Sequence, residues 1–212
     1  MKAQDTLQHM IANRVVGIVR TATAEQAVAL AKAFLVGGFQ TLEITLTVPN
    51  ALSVLSELAG DLPAGTILGA GTVLSVDQAK AAIDAGARFI VSPVSQLDLI
   101  PVCKQHGAVC IPAGMTPTEL LAGFRAGAEL VKVFPIENIG GVDYIRNLRG
   151  PLPELPLWVS GGVPPQHVPD YLQAGVKVVG LGLTRASQAM AAGDWEAVAG
   201  YAAEVYREQK GM

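Results

Sequence analysis

Lys132 lies in a strand-like segment where a charged side chain is unexpected. Residues 129–135 read Glu-Leu-Val-Lys-Val-Phe-Pro, so the lysine stands between two valines in an otherwise apolar run. Burial disfavours a protonated amine and lowers its pKa, and a neutral amine attacks carbonyl carbons. The same context also suits a lysine that pairs with a carboxylate or extends to solvent from a strand end.

Glu43 is the carboxylate that the sequence offers as a partner for this lysine. Because strand side chains alternate, Leu42 and Ile44 would face the helices and leave Glu43 pointing to the other side. One carboxylate there can transfer protons during carbinolamine formation, dehydration and a carbon–carbon step. The alternative is a structural ion pair between Glu43 and Lys132, and the two interpretations are compatible in a resting enzyme.

Metal and dinucleotide chemistry find little support in the sequence. His9, His106 and His167 are far apart, none falls at an expected strand end, and no His-x-x-x-His or Cys-x-x-Cys pattern occurs. The run Gly69-Ala70-Gly71 lacks the third glycine of a dinucleotide fingerprint. We therefore expect no metal ligand set, while a Mg²⁺ ion held by carboxylates alone stays open.

Strand-like and helix-like segments alternate along the chain and must position these residues. Short apolar, β-branched runs recur at residues 15–19, 41–45, 66–70, 88–91, 108–111, 130–134, 157–160 and 177–181. Helix-like stretches lie between them, for example at residues 24–36, 49–58, 76–84 and 117–126, and glycines such as Gly60 are expected to end them. Eight such units predict an α/β fold, a (β/α)₈ TIM barrel forming a single domain over residues 1–212. Extra helices are expected at residues 3–13 and from residue 195 to 207, and an open doubly wound sheet is the rival.

The active site of such a barrel lies at the carboxyl ends of its strands. The residues expected there include Arg20, Thr47, Gly71, Thr72, Pro93, Phe134, Ser160, Gly161, Gly162 and Gly182. Loops after the last two strands often hold an anion through backbone N–H groups, and their glycine turns favour that role here.

The composition excludes several other classes of protein. Half of the 212 residues are hydrophobic, and the net charge of −3 argues against nucleic acid or an anionic membrane as a partner. No segment has the ~18 apolar residues of a membrane helix, and the N-terminus lacks the apolar core of a secretory signal. The two cysteines, Cys103 and Cys110, are expected to be reduced. A soluble, cytoplasmic protein is predicted.

Several motifs, in sequential order, carry a resemblance to a known family. They are Val-Val-Gly-Ile-Val-Arg (15–20), Leu-Glu-Ile-Thr-Leu-Thr (42–47), Gly-Ala-Gly-Thr-Val-Leu (69–74), Val-Ser-Pro (91–93), Ile-Pro-Ala-Gly-Met-Thr-Pro-Thr-Glu (111–119), Val-Lys-Val-Phe-Pro (131–135) and Ser-Gly-Gly-Val (160–163). Together they resemble the bacterial 2-keto-3-deoxy-6-phosphogluconate (KDPG) / 4-hydroxy-2-oxoglutarate (KHG) aldolase family. The resemblance implies a cofactor-independent class I aldolase, typically a homotrimer, that forms pyruvate and an aldehyde.

The resemblance also implies roles for individual residues. Lys132 matches the Schiff-base lysine and Glu43 the general acid–base. Gly71 and Thr72 match the carboxylate-binding groups, Pro93 and Phe134 match walls around the imine, and Ser160, Gly161 and Gly162 match the loop near the hydroxyl and phosphate end.

Two positions depart from the family pattern. Thr47 stands where some members carry an arginine that clamps the carboxylate, and Arg20 at the end of strand 1 is expected to supply that cation. Leu183 stands where relatives often carry a phosphate-binding serine after Gly182. Thr184 is the neighbouring hydroxyl that could substitute, and a weaker preference for phosphorylated substrates is expected.

Three rival functions stay open from the sequence. The nearest is aldol cleavage of the C4 epimer, 2-keto-3-deoxy-6-phosphogalactonate, since the strand-2 motif with Thr47 also occurs in that branch. Another is an isomerase or phosphate-binding barrel in which Glu43 is a base and Lys132 acts only electrostatically. The third is a non-catalytic, self-assembling barrel, natural or engineered.

Overall fold

A parallel sheet forms the centre of the computed structural model, which describes residues 2–210. Its strands are β1 (Val15–Val19), β2 (Thr41–Thr45), β3 (Ile67–Gly71), β4 (Phe89–Val91), β5 (Val109–Ile111), β6 (Ala113–Gly114), β7 (Val131–Val133), β8 (Leu157–Val159) and β9 (Val178–Leu181). The strands follow the order β5-β4-β3-β2-β1-β9-β8-β7-β6, and every pairing is parallel.

Pro112 explains why nine strand segments appear where eight runs were expected. Proline has no backbone N–H and interrupts a ladder, so the fifth barrel strand is divided into β5 and β6. β5 pairs with β4 and β6 pairs with β7, so the divided strand joins the two ends of the sheet. The expected (β/α)₈ barrel is thereby confirmed.

Helices surround the sheet and connect consecutive strands. They are α1 (Ala3–Asn13), α2 (Ala24–Val36), α3 (Ala51–Asp61), α4 (Val76–Asp84), α5 (Leu99–Gln105), α6 (Pro117–Arg125), α7 (Gly141–Arg149), α8 (Val168–Gln173), α9 (Ser187–Ala192) and α10 (Trp195–Lys210). Both extra helices are confirmed, although the last extends beyond residue 207. The helix expected at residues 49–58 is displaced to Ala51–Asp61, and Gly60 lies inside it rather than at its end. Within residues 2–210, no helix has the length and apolar character to cross a membrane.

Two apolar clusters fill the molecule and fix the orientation of the strands. Leu42 and Ile44 belong to the larger cluster, which lies between the strands and the helices. The smaller cluster contains Phe89 and Trp158, whose ring centroids are 6.1 Å apart, and Met10 from α1. The barrel interior is therefore a packed core on which the site residues rest. Both cysteines are buried and form no disulfide in the described residues.

Candidate active site

Lys132 and Glu43 come from opposite sides of the barrel. Lys132 is the central residue of β7 and Glu43 the central residue of β2. Three barrel strands separate β2 from β7 in either direction around the ring, when β5 and β6 are taken as one strand. Lys132 is 5% exposed and Glu43 2% exposed. The expected orientation of Glu43 is confirmed, because Leu42 and Ile44 pack on the other face of β2.

Burial dominates the electrostatics of this pair. It lowers the pKa of Lys132 below its ordinary value of 10.5, helped by the positive charge of Arg20 and opposed by Glu43. It also raises the pKa of Glu43, and the charges of Lys132 and Arg20 oppose that rise. Both groups are thus biased toward their neutral forms, an amine that can attack a carbonyl and an acid that can donate a proton.

No fixed ion pair joins the two groups. Among residues 2–208, whose side chains the structure describes, nitrogen–oxygen contacts within 4.0 Å between charged side chains occur only at Lys32–Asp61 and Arg146–Asp143. The Oε2 atom of Glu43 is buried and has no hydrogen-bond partner in the described chain. Lys132 Nζ instead lies 4.7 Å from the centroid of the Phe134 ring. The amine and the carboxyl are therefore separate groups with unused hydrogen-bonding capacity.

Gly71, the last residue of β3, gives the Glu43 carboxyl its room. A Cβ atom added at residue 71 would overlap the Oε1 atom of Glu43. Any side chain larger than hydrogen at this position would displace the carboxyl from its place in the barrel. The position of Gly71 is thus a structural requirement of the site.

Arg20 lies at the mouth of the barrel, directly after β1, and its side chain is held by two threonines. Its Nη1 donates to Thr47 Oγ1 at 2.6 Å and its Nη2 donates to Thr72 Oγ1 at 3.1 Å. Within the described part of the chain, no carboxylate lies within ion-pair distance of Arg20. A positively charged guanidinium without an acidic partner is available to bind an anion.

Thr72 has a backbone conformation that L-residues seldom adopt. Its φ angle is 59°, in the left-handed region that is disfavoured for β-branched side chains. Such outliers cluster at binding and catalytic sites. Here the conformation lies at the carboxyl end of β3 and accompanies the contact of Thr72 with Arg20.

The two residues expected to form walls around the imine are both partly buried. Pro93 follows β4, and Phe134 follows β7, where the Phe134–Pro135 peptide bond is cis. The Phe134 ring contacts the Lys132 amine as described above. Phe134 therefore lies beside the Lys132 amine, and the role of Pro93 as a second wall stays a prediction.

Gly161 and Gly162 form a tight turn after β8. Their φ angles are +102° and +83°, and a Cβ on Gly161 would lie 2.8 Å from the Cα of Pro135. The turn packs on the loop after β7 because Ile136 N donates to the carbonyl of Ser160 at 3.0 Å. The Ser160 hydroxyl is buried, and in residues 2–210 it has no hydrogen-bond partner. Backbone N–H groups and one spare hydroxyl are therefore present at this edge of the site.

The loop after β9 places its two candidate residues differently. Leu183 is 3% exposed and belongs to the larger apolar cluster, so its side chain packs in the core. Thr184 is exposed and begins a short 3₁₀ helix, Thr184–Ala186. Gly182 is exposed, with open space where a Cβ would be. Thr184 and Gly182 are thus exposed at the surface of this loop, whereas Leu183 is buried in the core.

Sequence reasoning gave no role to two further contacts. Thr45 is fully buried, and its hydroxyl donates to the carbonyl of Val19 at 3.0 Å. The alternation of Glu43, Thr45 and Thr47 along β2 and the residues that follow it was the signal that could have indicated it. Tyr171 OH donates to Glu137 Oε1 at 2.5 Å and joins α8 to the loop after β7, and no sequence pattern predicted that contact.

In the part of the chain that the structure describes, no group of three or more His, Cys, Asp or Glu side chains is arranged to hold a metal ion.

An eight-unit barrel with a buried lysine opposite a buried glutamate at its site defines a barrel enzyme suited to carbonyl chemistry. The sequence model of one family, described as "Aldolase: KDPG and KHG aldolase", matches residues 7–200. The chain therefore belongs to the KDPG and KHG aldolase family.

Individual relatives agree with this assignment. The chain is 35% identical to the 2-dehydro-3-deoxy-phosphogluconate aldolase of Pseudoalteromonas atlantica, over 87% of this chain and 86% of the relative. It is 34% identical to the probable 2-dehydro-3-deoxy-6-phosphogalactonate aldolase of Rhizobium meliloti, over 84% of each. A solved KDPG aldolase from Legionella pneumophila, with pyruvate captured as a covalent carbinolamine, has a TM-score of 0.84 and 28% identity, covering 94% of this chain and 97% of that one.

Proposed function

We propose that this protein is a class I aldolase, a carbon–carbon lyase that reversibly cleaves KDPG, KHG or both to pyruvate and an aldehyde. The aldehyde is glyceraldehyde 3-phosphate from KDPG and glyoxylate from KHG. The observation that carries the proposal is the buried Lys132 amine, with a lowered pKa, across the barrel from the buried Glu43 carboxyl. Membership of the aldolase family supports it.

Lys132 is the nucleophile in this proposal. Its neutral Nζ attacks the C2 ketone of the substrate and forms a carbinolamine, and loss of water gives an imine that is protonated on nitrogen. The apolar strand around Lys132 favours the neutral amine that the first step needs. The protonated imine then accepts the electron pair of the breaking C3–C4 bond, so an enamine and an aldehyde result.

Glu43 transfers the protons. In its neutral form it donates a proton to the hydroxyl that leaves the carbinolamine as water, and its carboxylate then accepts the C4 hydroxyl proton during cleavage. The raised pKa of Glu43 suits a group that must both hold and release a proton during the reaction. The enamine is finally protonated at C3 and hydrolysed, which releases pyruvate and the free amine of Lys132.

The carboxylate of the substrate binds at the side of the mouth formed by β1 and β3. Arg20 supplies the positive charge, and Gly71 and Thr72 lie beside it. Pro93 and Phe134 shield the imine from water on the other side. This arrangement orients the keto acid with C2 toward Lys132.

The aldehyde end of the substrate points toward the loops after β8 and β9. Ser160, Gly161 and Gly162 offer a spare hydroxyl and backbone N–H groups there. Gly182 and Thr184, from the loop after β9, line the same region. The unpartnered Ser160 hydroxyl supports a contact with a substrate hydroxyl or phosphate.

The proposal extends to the state of the protein in solution. Homo-oligomers, and a trimer in particular, are what the family resemblance implies, and exposed apolar side chains such as Val36 and Leu74 are compatible with a protein interface. Size-exclusion chromatography with light scattering measures the oligomer directly. A single catalytic domain and a cytoplasmic location complete the proposal.

A pyruvate-release assay with KDPG, its galactonate epimer and KHG tests the function. Release from KDPG or KHG is the expected result, and no release from any of the three contradicts the proposal. Cleavage of the galactonate epimer is a second candidate, favoured by the strand-2 motif with Thr47 and by the similarity to the Rhizobium meliloti protein. A kcat/KM highest for that epimer would select it.

A further inference from the structure

A buried hydroxyl lies behind the arginine at the mouth of the barrel. Thr45 is fully buried, and its Oγ1 is 3.0 Å from the carbonyl oxygen of Val19 and 3.0 Å from Thr47 Oγ1. Thr47 Oγ1 in turn accepts from Arg20 Nη1 at 2.6 Å. These contacts form one continuous chain from the guanidinium to the backbone of β1.

The chain of hydrogen bonds has only one possible direction. A carbonyl oxygen can only accept, so the single proton of the Thr45 hydroxyl is donated to Val19. Thr47 must therefore be the donor in its contact with Thr45. Arg20, which can only donate, completes the sequence Arg20 to Thr47 to Thr45 to Val19.

The direction of this chain gives different roles to the two threonines that contact Arg20. The only proton of the Thr47 hydroxyl is given to Thr45, so Thr47 has none left for a ligand. Thr72 accepts from Arg20 Nη2 at 3.1 Å, and within residues 2–210 its own hydroxyl proton is given to no acceptor. Thr72 can therefore donate to a bound anion, whereas Thr47 cannot without breaking the chain.

We propose that Thr45 and Thr47 are positioning residues that hold the Arg20 guanidinium ready for the substrate carboxylate, while Thr72 keeps the carboxylate-binding role that the proposed function already gives it. This inference rests on the proposed aldolase function and deepens it. A long arginine side chain at an exposed position loses rotamer freedom when it binds a ligand. The hydrogen-bond chain fixes the side chain in advance, so binding is tighter.

The direct test replaces Thr45 by valine, which keeps the branched shape and removes the hydroxyl. Loss of one hydrogen bond in the chain is expected to raise KM for pyruvate in the condensation direction by about 3- to 10-fold, with kcat within about twofold. Thr45→Ser keeps a hydroxyl and should restore KM. Thr47→Val breaks the same chain at an exposed position, where folding is not at risk, and should raise KM similarly.

Thr41 provides a matched control on the same face of β2. It is fully buried like Thr45, but its Oγ1 has no hydrogen-bond partner in the described chain. Thr41→Val should leave KM and kcat unchanged. A rise in KM equal to that of Thr45→Val would show that any buried threonine of this strand has the same effect, and would overturn the proposal.

A double-mutant cycle shows whether Thr45 acts through Arg20. Arg20→Ala alone is expected to raise KM for pyruvate by roughly 10- to 150-fold, the scale of a hydrogen bond to a charged group. In that background Thr45→Val should add nothing further, because the group it positions is gone. Thr72→Val should still raise KM there, because its donor acts on the ligand directly.

The wild-type protein is tested first for a borohydride-stable pyruvate adduct. Without an adduct the aldolase function fails, and this inference with it. With an adduct, two results besides the Thr41→Val outcome overturn the inference alone. One is an unchanged KM in Thr45→Val and Thr47→Val, and the other is a Thr45→Val effect that persists in full in the Arg20→Ala background.

Discussion

Gly71 lies so close to the Glu43 carboxyl that a methyl group at residue 71 would occupy the space of Oε1. The two residues are neighbours across the β2–β3 ladder, where Thr45 and not Glu43 is the register partner of Gly71. Because Gly71 of β3 has no side chain, the Glu43 carboxyl of β2 can occupy this position.

Gly71→Ala is expected to lower kcat strongly, because Glu43 must move away from the place where it meets the substrate. The cost of misplacing such a group can reach about 10²-fold. Gly60→Ala is the matched control, since a Cβ there meets no atom within 4 Å and the residue lies inside α3. That variant should keep full activity and gain roughly 0.5–1 kcal/mol of stability. Equal activities in the two variants would show that Glu43 does not depend on Gly71.

Glu43→Gln is expected to slow turnover by roughly 10²- to 10⁴-fold, the usual scale of general acid–base catalysis. The amide keeps the size of the side chain but cannot exchange the proton. Glu57→Gln, at an exposed position of α3, serves as the control and should leave turnover unchanged. Steady-state pyruvate release measures the turnover of both variants. Near-normal turnover in Glu43→Gln would assign proton transfer to another group or to water.

The pH dependence of imine formation reports the pKa of Lys132. Burial lowers this pKa from 10.5, so the midpoint of the pH profile of pyruvate trapping should lie below 10.5. Glu43 raises and Arg20 lowers the pKa of Lys132 through their charges. Glu43→Gln should therefore move the midpoint to lower pH, and Arg20→Ala should move it to higher pH.

The opposite signs of these two shifts make the pH measurement specific. Shifts of both variants in the same direction would mean that charge interactions with Lys132 do not control the profile. A wild-type midpoint near 10.5 would contradict the buried, neutral amine.

The loop after β9 gives a prediction about phosphate. Leu183→Ser removes a buried side chain and should cost about 2–5 kcal/mol of stability, the range of large-to-small core substitutions. Because residue 183 faces the core, serine there should not increase the ratio of kcat/KM for KDPG to that for its unphosphorylated analogue. Thr184→Ala, at the exposed rim, should reduce this ratio.

An increased ratio in Leu183→Ser would show that the loop rearranges to present residue 183 to the substrate. The weaker phosphate preference expected from the missing serine stays a prediction, and it depends on whether Thr184 supplies the hydroxyl.

Local sequence patterns predicted much of the fold and the placement of Lys132 and Glu43. Alternation of Leu42, Glu43 and Ile44 was sufficient to point the carboxylate into the barrel, because burial of one strand face follows a period of two residues. The same alternation, applied from Leu181 to Leu183, would have placed Leu183 in the core, but the glycines around it were interpreted as an anion-binding turn.

Contacts between distant strands could not be predicted in this way. The partners of Arg20 come from residues 47 and 72, which follow other strands, so their hydrogen bonds depend on tertiary structure. Pro112 divides a barrel strand without ending it, because β5 and β6 pair with different neighbours. A continuous apolar pattern does not distinguish that arrangement from an unbroken strand.

The most direct test of the account is covalent trapping of the pyruvate imine with borohydride, followed by mass spectrometry of the labelled peptides. A single adduct on Lys132 is expected. Lys132→Ala should fold, as judged by circular dichroism, but form no adduct and cleave no substrate. An adduct on another lysine, such as Lys104 or Lys177, or no adduct on the wild-type protein, would contradict the assignment of Lys132 as the Schiff-base lysine.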